Sequence, residues 1–307
     1  MTISMIFTVL GLIVFEVISS IDNAVVNAEV LSTMSKKARR WFLLWGLLFA
    51  VFIVRGLLPW LIVWLATPGL GPIQAFTATF SNDPKIFESI HKASPILLTG
   101  GGTFLILLFF HWLFQEKKEF GLRHEKYFQS KGIWFFAVAS IVLLGLVWLA
   151  GKKDFMMAFA AVAGSTAFFI THGFKQNAEM AEAKLVGGTS NLSDVSKIVY
   201  LEIIDTTFSI DGVLGAFAFT LSVPLIIIGN GIGALVLRQL TVGNIETIRK
   251  YRYLKNGAMY SILVLGIIMI MDAFGAEIPE YISPLVTVII VGYFFWKSKM
   301  ALKSSVI

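Results

Sequence analysis

The stretch MIFTVLGLIVFEVISSIDNAVVNAEVL, residues 5–31, decides how the rest of the chain is read. Its first half is apolar on every side rather than along one stripe, which suits lipid and not a water-facing helix. It is longer than the about 20 residues that a helix needs to cross the hydrocarbon core of a bilayer. No basic segment precedes it, and Glu16 stands where a cleaved signal peptide would be apolar, so it is expected to remain as the first span. Composition extends the reading to the whole molecule. The 307 residues are 57% hydrophobic and 14% charged, with mean hydropathy +0.80, whereas soluble domains run about 45–50% apolar and about 25% charged. A water-soluble surface cannot be built from so few charges. The fold class expected is all-α: a polytopic membrane helix bundle.

Windows long enough to span fall near 5–31, 41–66, 95–114, 133–150, 155–172, 197–220, 222–240, 257–274 and 282–297, about nine in all. Placing the N-terminus outside puts 19 Lys and Arg residues in cytoplasmic loops and the tail, against four outside (Lys85, Lys92, Lys152, Lys153). Arg55 and Arg238 fall within spans. The positive-inside rule therefore favours an outside N-terminus and a cytoplasmic C-terminus. A re-entrant hairpin over spans four and five would return Lys152 and Lys153 to the inside. All eight tryptophans lie near expected helix ends and read as an interfacial belt. Residues 67–94 read as an outer loop or lid, and 173–196 as a polar inner linker with Ser193 or Asp194 as cap of the next helix.

Several function classes drop out. With no cysteine, disulfides, thiolate metal sites and thiol catalysis are excluded. The four histidines never sit at helical ligand spacing, so a zinc or copper centre is not expected, and His111 and His172 read as interfacial packing. The basic residues follow the membrane rather than one soluble face, which argues against nucleic acid. GNGIG at 229–233 follows no strand and is no nucleotide loop; with TGGGT at 99–103 it reads as close helix packing.

What remains is charge inside the membrane. Span one holds Glu16, Asp22, Asn23 and Asn27; span six, LEIIDTTFSIDGVLGAF at 201–217, holds Glu202, Asp205 and Asp211. A carboxylate at the bilayer centre costs roughly 2.5–3.5 kcal/mol, so four of them left uncompensated would cost on the order of 10–14 kcal/mol. The two segments also match. Aligning SID at 20–22 with SID at 209–211 places Glu16 on Asp205, and GLLFAVFIVRGL (46–57) then parallels GNGIGALVLRQL (229–240), with Arg55 on Arg238. Span one runs inward and span six outward in this orientation, so the repeat is inverted, as in many secondary transporters. The divisions expected are 1–114 (first half, spans 1–3), 115–196 (inserted helices and cytoplasmic linker) and 197–307 (second, inverted half). Six residues rotate about 600° along a straight helix, which would aim the two acids of each span about 120° apart. Both helices are therefore expected to break there and turn their acids inward. Glu16, Asp22, Asn23, Asp205 and Asp211 form the expected metal-ligand set, all oxygen, suited to manganese, calcium or magnesium. Asn27, Ser209, Glu202, Arg55 and Arg238 would support transport. The competing reading is an internal ion-pair cluster of the acids with Arg55 and Arg238. Glu202 reads as a vestibule residue and Arg238 as snorkelling at a helix end.

FEVISSIDNAVV, EIIDTTFSIDGV and the arginine-bearing GNGIGALVLRQL resemble the TerC integral membrane family within the LysE-like transporter superfamily. The resemblance covers spans one to three and six to nine, and departs from the family in Gly212, where many members have serine, and in the extra helices at roughly 133–172. It implies export of a divalent cation, manganese first, from the cytoplasm across the cell (inner) membrane, with a link to tellurium resistance. Proton exchange fits, because crowded carboxylates have coupled, raised pKa values. No enzymatic activity and no tightly bound cofactor are expected. The expected partners are the metal ion and the lipid bilayer, with room for a homo-oligomer. The alternatives are an amino-acid exporter, a membrane component of a tellurite or stress-resistance complex and, more remotely, an intramembrane aspartyl hydrolase.

Overall fold

The computed structural model describes residues 3–46, 48–67, 71–75, 84–118, 120–186 and 193–304. Among these the chain is helical with no strand. The helices are α1 (Ile3–Ser19), α2 (Ile21–Ser32), α3 (Lys36–Trp41), α4 (Arg55–Ala66), α5 (Pro84–Gln115), α6 (Arg123–Gln129), α7 (Phe135–Lys153), α8 (Phe155–Val186), α9 (Asp194–Ala216), α10 (Val223–Arg249), α11 (Leu254–Ala273) and α12 (Ile282–Ser304). Two π-helical stretches, Phe42–Gly46 and Phe49–Val54, lie between α3 and α4. Among the described residues the expected spans fall mostly on helix. Five stretches are long and apolar enough to cross a bilayer by themselves: His91–Gln115, Gly132–Lys153, Phe155–Asn177, Leu254–Ala273 and Ile282–Lys303. The bent pair α1–α2 makes a sixth. The others fall short for local reasons: α9 carries four acids and a lysine, and the apolar runs of the second and seventh expected spans are short, Arg55–Leu65 and Val223–Gln239.

Close backbone approach, rather than apolar burial, holds helices together in lipid, and glycines supply it here. Helix α1 lies in a groove of α9 and α10 lined by glycine. A Cβ at Gly229 would fall 2.5 Å from Leu12 Cβ, one at Gly233 2.7 Å from Glu16 Cβ, and one at Gly215 would clash with the edge of the Phe15 ring. The TGGGT segment does the same for α5. Gly102 faces the Gly266 carbonyl of α11 at 2.9 Å from its notional Cβ, and Gly100 meets Gly164 of α8 backbone to backbone. The inserted pair α7–α8 is thus built into the bundle. Both are full-length helices that turn at Asp154, and each holds a stretch long and apolar enough to cross a bilayer. The two outer lysines there have local employment: Lys153 Nζ donates to the Ala273 carbonyl at the end of α11, and Lys152 lies 3.4 Å over the Trp148 ring. Large apolar side chains on the outside of α7, such as Ile141 and Leu144, are 69% and 70% exposed, as befits a lipid-facing surface.

Several expectations are corrected. Helix α8 continues to Val186 and absorbs much of the presumed linker; the rest of it, 187–192, lies outside the described residues. Ser193 caps α9, its hydroxyl accepting from Ser196 N at 3.2 Å. The outer loop is shorter, since α5 starts at Pro84, while 68–70 and 76–83 lie outside the described residues. Trp112 is 3% exposed and packs between Phe109 and Tyr260, so it belongs to the core and not to an interfacial belt.

Candidate functional site

The first span breaks where expected. Helix α1 ends at Ser19, Ser20 leaves helical geometry (φ −98°, ψ 8°), and the axis turns by 57°. The Ser19 hydroxyl faces the Glu16 carbonyl at 3.4 Å, and the Ser20 hydroxyl donates to Glu16 Oε1 at 3.0 Å. Glu16 itself is 1% exposed. Its Oε1 accepts from Arg55 Nε at 3.0 Å and from Arg55 Nη2 at 2.5 Å, while Oε2 has no hydrogen-bond partner. A Cβ at Gly212 would lie 2.8 Å from that Oε2, so glycine at 212 makes room for the carboxylate. Arg55 is 4% exposed and follows directly on the π-helical stretch Phe49–Val54. Wider π turns recur at functional sites because they re-aim the side chains that follow.

Asp205 sits across from this pair, 8% exposed. Asn27 Nδ2 donates to its Oδ1 at 2.7 Å, and the Asn23 amide and Arg55 act on the same carboxylate. Glu202 lies one turn earlier on α9, close to Gly46 and to Asp205. The unpaired atoms here share one character: Glu16 Oε2, Asn23 Oδ1, Asn27 Oδ1 and both oxygens of Glu202 are buried acceptors without a donor. Five such acceptors around two arginine-linked acids call for positive charge or protons.

The sixth span, by contrast, does not break. Helix α9 runs without interruption from Asp194 to Ala216. Its hydroxyls bond backward within the helix: Thr206 to Glu202 O, Thr207 to Ile203 O, and Ser209 Oγ to Asp205 O at 2.5 Å. Such i−4 bonds saturate the carbonyls they meet, so Ser209 frees no backbone oxygen for a ligand. Asp211 consequently points elsewhere and is not brought to Glu16 and Asp205 as one pocket. Arg238 is half-buried and makes no ion pair among the described residues, whereas Arg55 pairs with Glu16 and acts electrostatically on Asp205. The side chain of Asp22 lies outside the described residues. Among those described, no three His, Asp or Glu side chains are grouped to hold a metal ion; carboxylate and amide oxygens would have to act together.

Asp211 lines a separate cavity of about 310 Å³ between α1, α5, α8, α9 and α11. His111 and His172 share it, with ring centroids 3.8 Å apart, and His172 Nε2 is 3.1 Å from Gln176 Nε2. Glu116 and Lys255 form an ion pair on its edge. Sequence spacing missed this pairing because 61 residues separate the histidines (172 − 111). The only available signal was that both end spans on the same membrane side.

The comparisons agree with the membrane architecture. A model of the family described as "Protein of unknown function (DUF475)" matches residues 21–304. The chain is 31% identical over 83 residues to the "Uncharacterized membrane protein YceF" of Bacillus subtilis (strain 168), an alignment covering 27% of this chain and 32% of that protein. The match thus spans about a third of the length of that relative. No solved structure matches.

Proposed function

We propose that this chain, which belongs to the DUF475 family, is a secondary carrier that moves a divalent metal cation, manganese first, out of the cytoplasm across the inner membrane. The observation that carries the reading is the set of donorless buried oxygens around Asp205 and Glu16. An unsatisfied buried acceptor costs about 1–3 kcal/mol, and a hard divalent cation takes six to eight oxygens of this kind. Glu16, Asn23, Asn27, Glu202 and Asp205 are the ligands the reading uses; Asp211 leaves the expected ligand set and Ser209 the supporting residues. Arg55 holds the place of the cation on Glu16, so loading requires the guanidinium to release Oε1. A break in α1 beside two π-helical stretches provides backbone that can rearrange for that exchange. The resemblance to TerC points to the same class of cargo, and manganese is the ion it implies. No catalytic step is assigned to the chain.

The test is flux of manganese, calcium and magnesium in proteoliposomes. Wild type should move at least one of them, and Asp205→Asn, which keeps shape and the Asn27 contact but removes charge, should abolish movement while leaving the melting temperature near that of wild type. Normal flux of all three ions through a folded Asp205→Asn carrier would refute the assignment.

A further inference from the structure

The cavity beside Asp211 is not used by the cation reading, and its chemistry differs. On α5 the lining runs from Leu108 through His111 to Glu116, and on α8 from Phe168 through His172 to Lys175. Eight residues of α5, at 1.5 Å each, make this a passage about 12 Å deep. One end is therefore apolar and the other charged. At the charged end stand Lys117, Lys175 and Lys255 against Glu116, which is already engaged by Lys255. The groups acting electrostatically on His111 are His172, Lys175, Lys118 and Lys255. Asp211 is the other acid of the lining, and Lys175 acts on it. Among the described residues of the lining, lysines outnumber acids, on the side that the positive-inside rule assigns to the cytoplasm.

We propose that the lysine-rich mouth of this cavity is a phosphate-binding site, with Lys117, Lys175 and the imidazoles of His111 and His172 as its donors. Ammonium groups act as point charges for phosphate and imidazole N–H groups add direction. Basic pockets between membrane helices on the cytoplasmic side receive anionic lipid headgroups for the same reason. The Glu116–Lys255 pair holds one cation at the rim. Asp211 repels an anion from the part of the cavity nearest the break at Ser19, so the phosphate stays at the mouth and the cation site remains separate. A phosphodiester of an anionic phospholipid and a free inorganic phosphate present the same group to these donors.

The experiment uses the full chain with nitrogen-15-labelled histidine. Only four histidines are present, so His91 and His124 act as internal controls. Inorganic phosphate is titrated in detergent, and nanodiscs of phosphatidylcholine are compared with nanodiscs containing phosphatidylglycerol. Movement of the His111 and His172 signals alone supports the site. Response to phosphate then identifies a free anion as ligand, and response confined to phosphatidylglycerol identifies a headgroup. No movement with either probe, or equal movement of all four histidines, overturns it. Lys175→Gln should weaken the response roughly tenfold, the loss of one charge-assisted hydrogen bond; Lys117→Gln, at an exposed position, gives a second variant with little risk to folding. Asp205→Asn should leave the response unchanged, which separates this site from the cation site.

Discussion

Arg55 directs two hydrogen bonds, from Nε and Nη2, onto one oxygen of Glu16, Oε1, and Oε2 is left without a donor. A bidentate fork would have shared the two oxygens and closed the site. The one-sided contact neutralises the acid and still leaves a lone pair facing Gly212. The pair is therefore both a stabilising contact and an incomplete one.

Arg55→Gln should be costly. Breaking a buried pair by removing one partner typically costs about 3–5 kcal/mol because a charge is left uncompensated. The double variant Glu16→Gln/Arg55→Gln should regain most of that loss. Thermal unfolding in detergent, arranged as a double-mutant cycle, reads the coupling. Additive losses would show that the two side chains do not depend on each other.

Glycine positions should divide sharply by their surroundings. Gly164→Ala drives a Cβ into the Gly100 backbone and Gly233→Ala into Glu16, and each should cost about 1–3 kcal/mol. Gly145 has nothing within 4 Å, so Gly145→Ala should be neutral or stabilise by up to about 1 kcal/mol through helix propensity. Melting temperatures of the three variants decide the matter; an equally tolerant Gly164 would mean that α8 does not pack on α5 this closely.

Two polar residues that look alike in the sequence should behave differently. Ser209 spends its hydroxyl on its own helix, so Ser209→Ala should leave ion flux and stability close to wild type, within about 0.5 kcal/mol. Asn27 bonds Asp205 from 178 residues away, and Asn27→Ala should lower flux and cost about 1–3 kcal/mol. Equal flux through both variants would remove Asn27 from the ligand set.

The buried loop lock gives a prediction outside the cation site. Glu125 is fully buried, its Oε2 accepting from Leu122 N and Asn256 Nδ2, both at 2.7 Å, with Oε1 unpaired. Asn256→Ala removes one of those donors and should destabilise the chain by about 1–3 kcal/mol without changing ion selectivity. Unfolding and flux measured on the same preparation would reveal any coupling between this lock and transport.

Hydrophobic runs of membrane length, lysine placement and the placing of acids inside those runs are local properties, so the chain's own order of residues sufficed to identify a helical membrane bundle, its approximate spans and the break at Ser19–Ser20. The glycine segments at 99–103 and 229–233 likewise announced close packing, because a helix without Cβ atoms has one main use in lipid. Side-chain direction was another matter. The SID segments at 20–22 and 209–211 are identical in sequence, yet only the first bends, because α9 stays intact with its hydroxyls bonded backward. That single difference turned Asp205 toward Arg55 and Asp211 into a different cavity. The meeting of His111 with His172, and of Asn27 with Asp205, arises from helices packed across the bundle. Contacts of that kind depend on how each helix rotates against its neighbours, which no spacing along one strand of chain encodes.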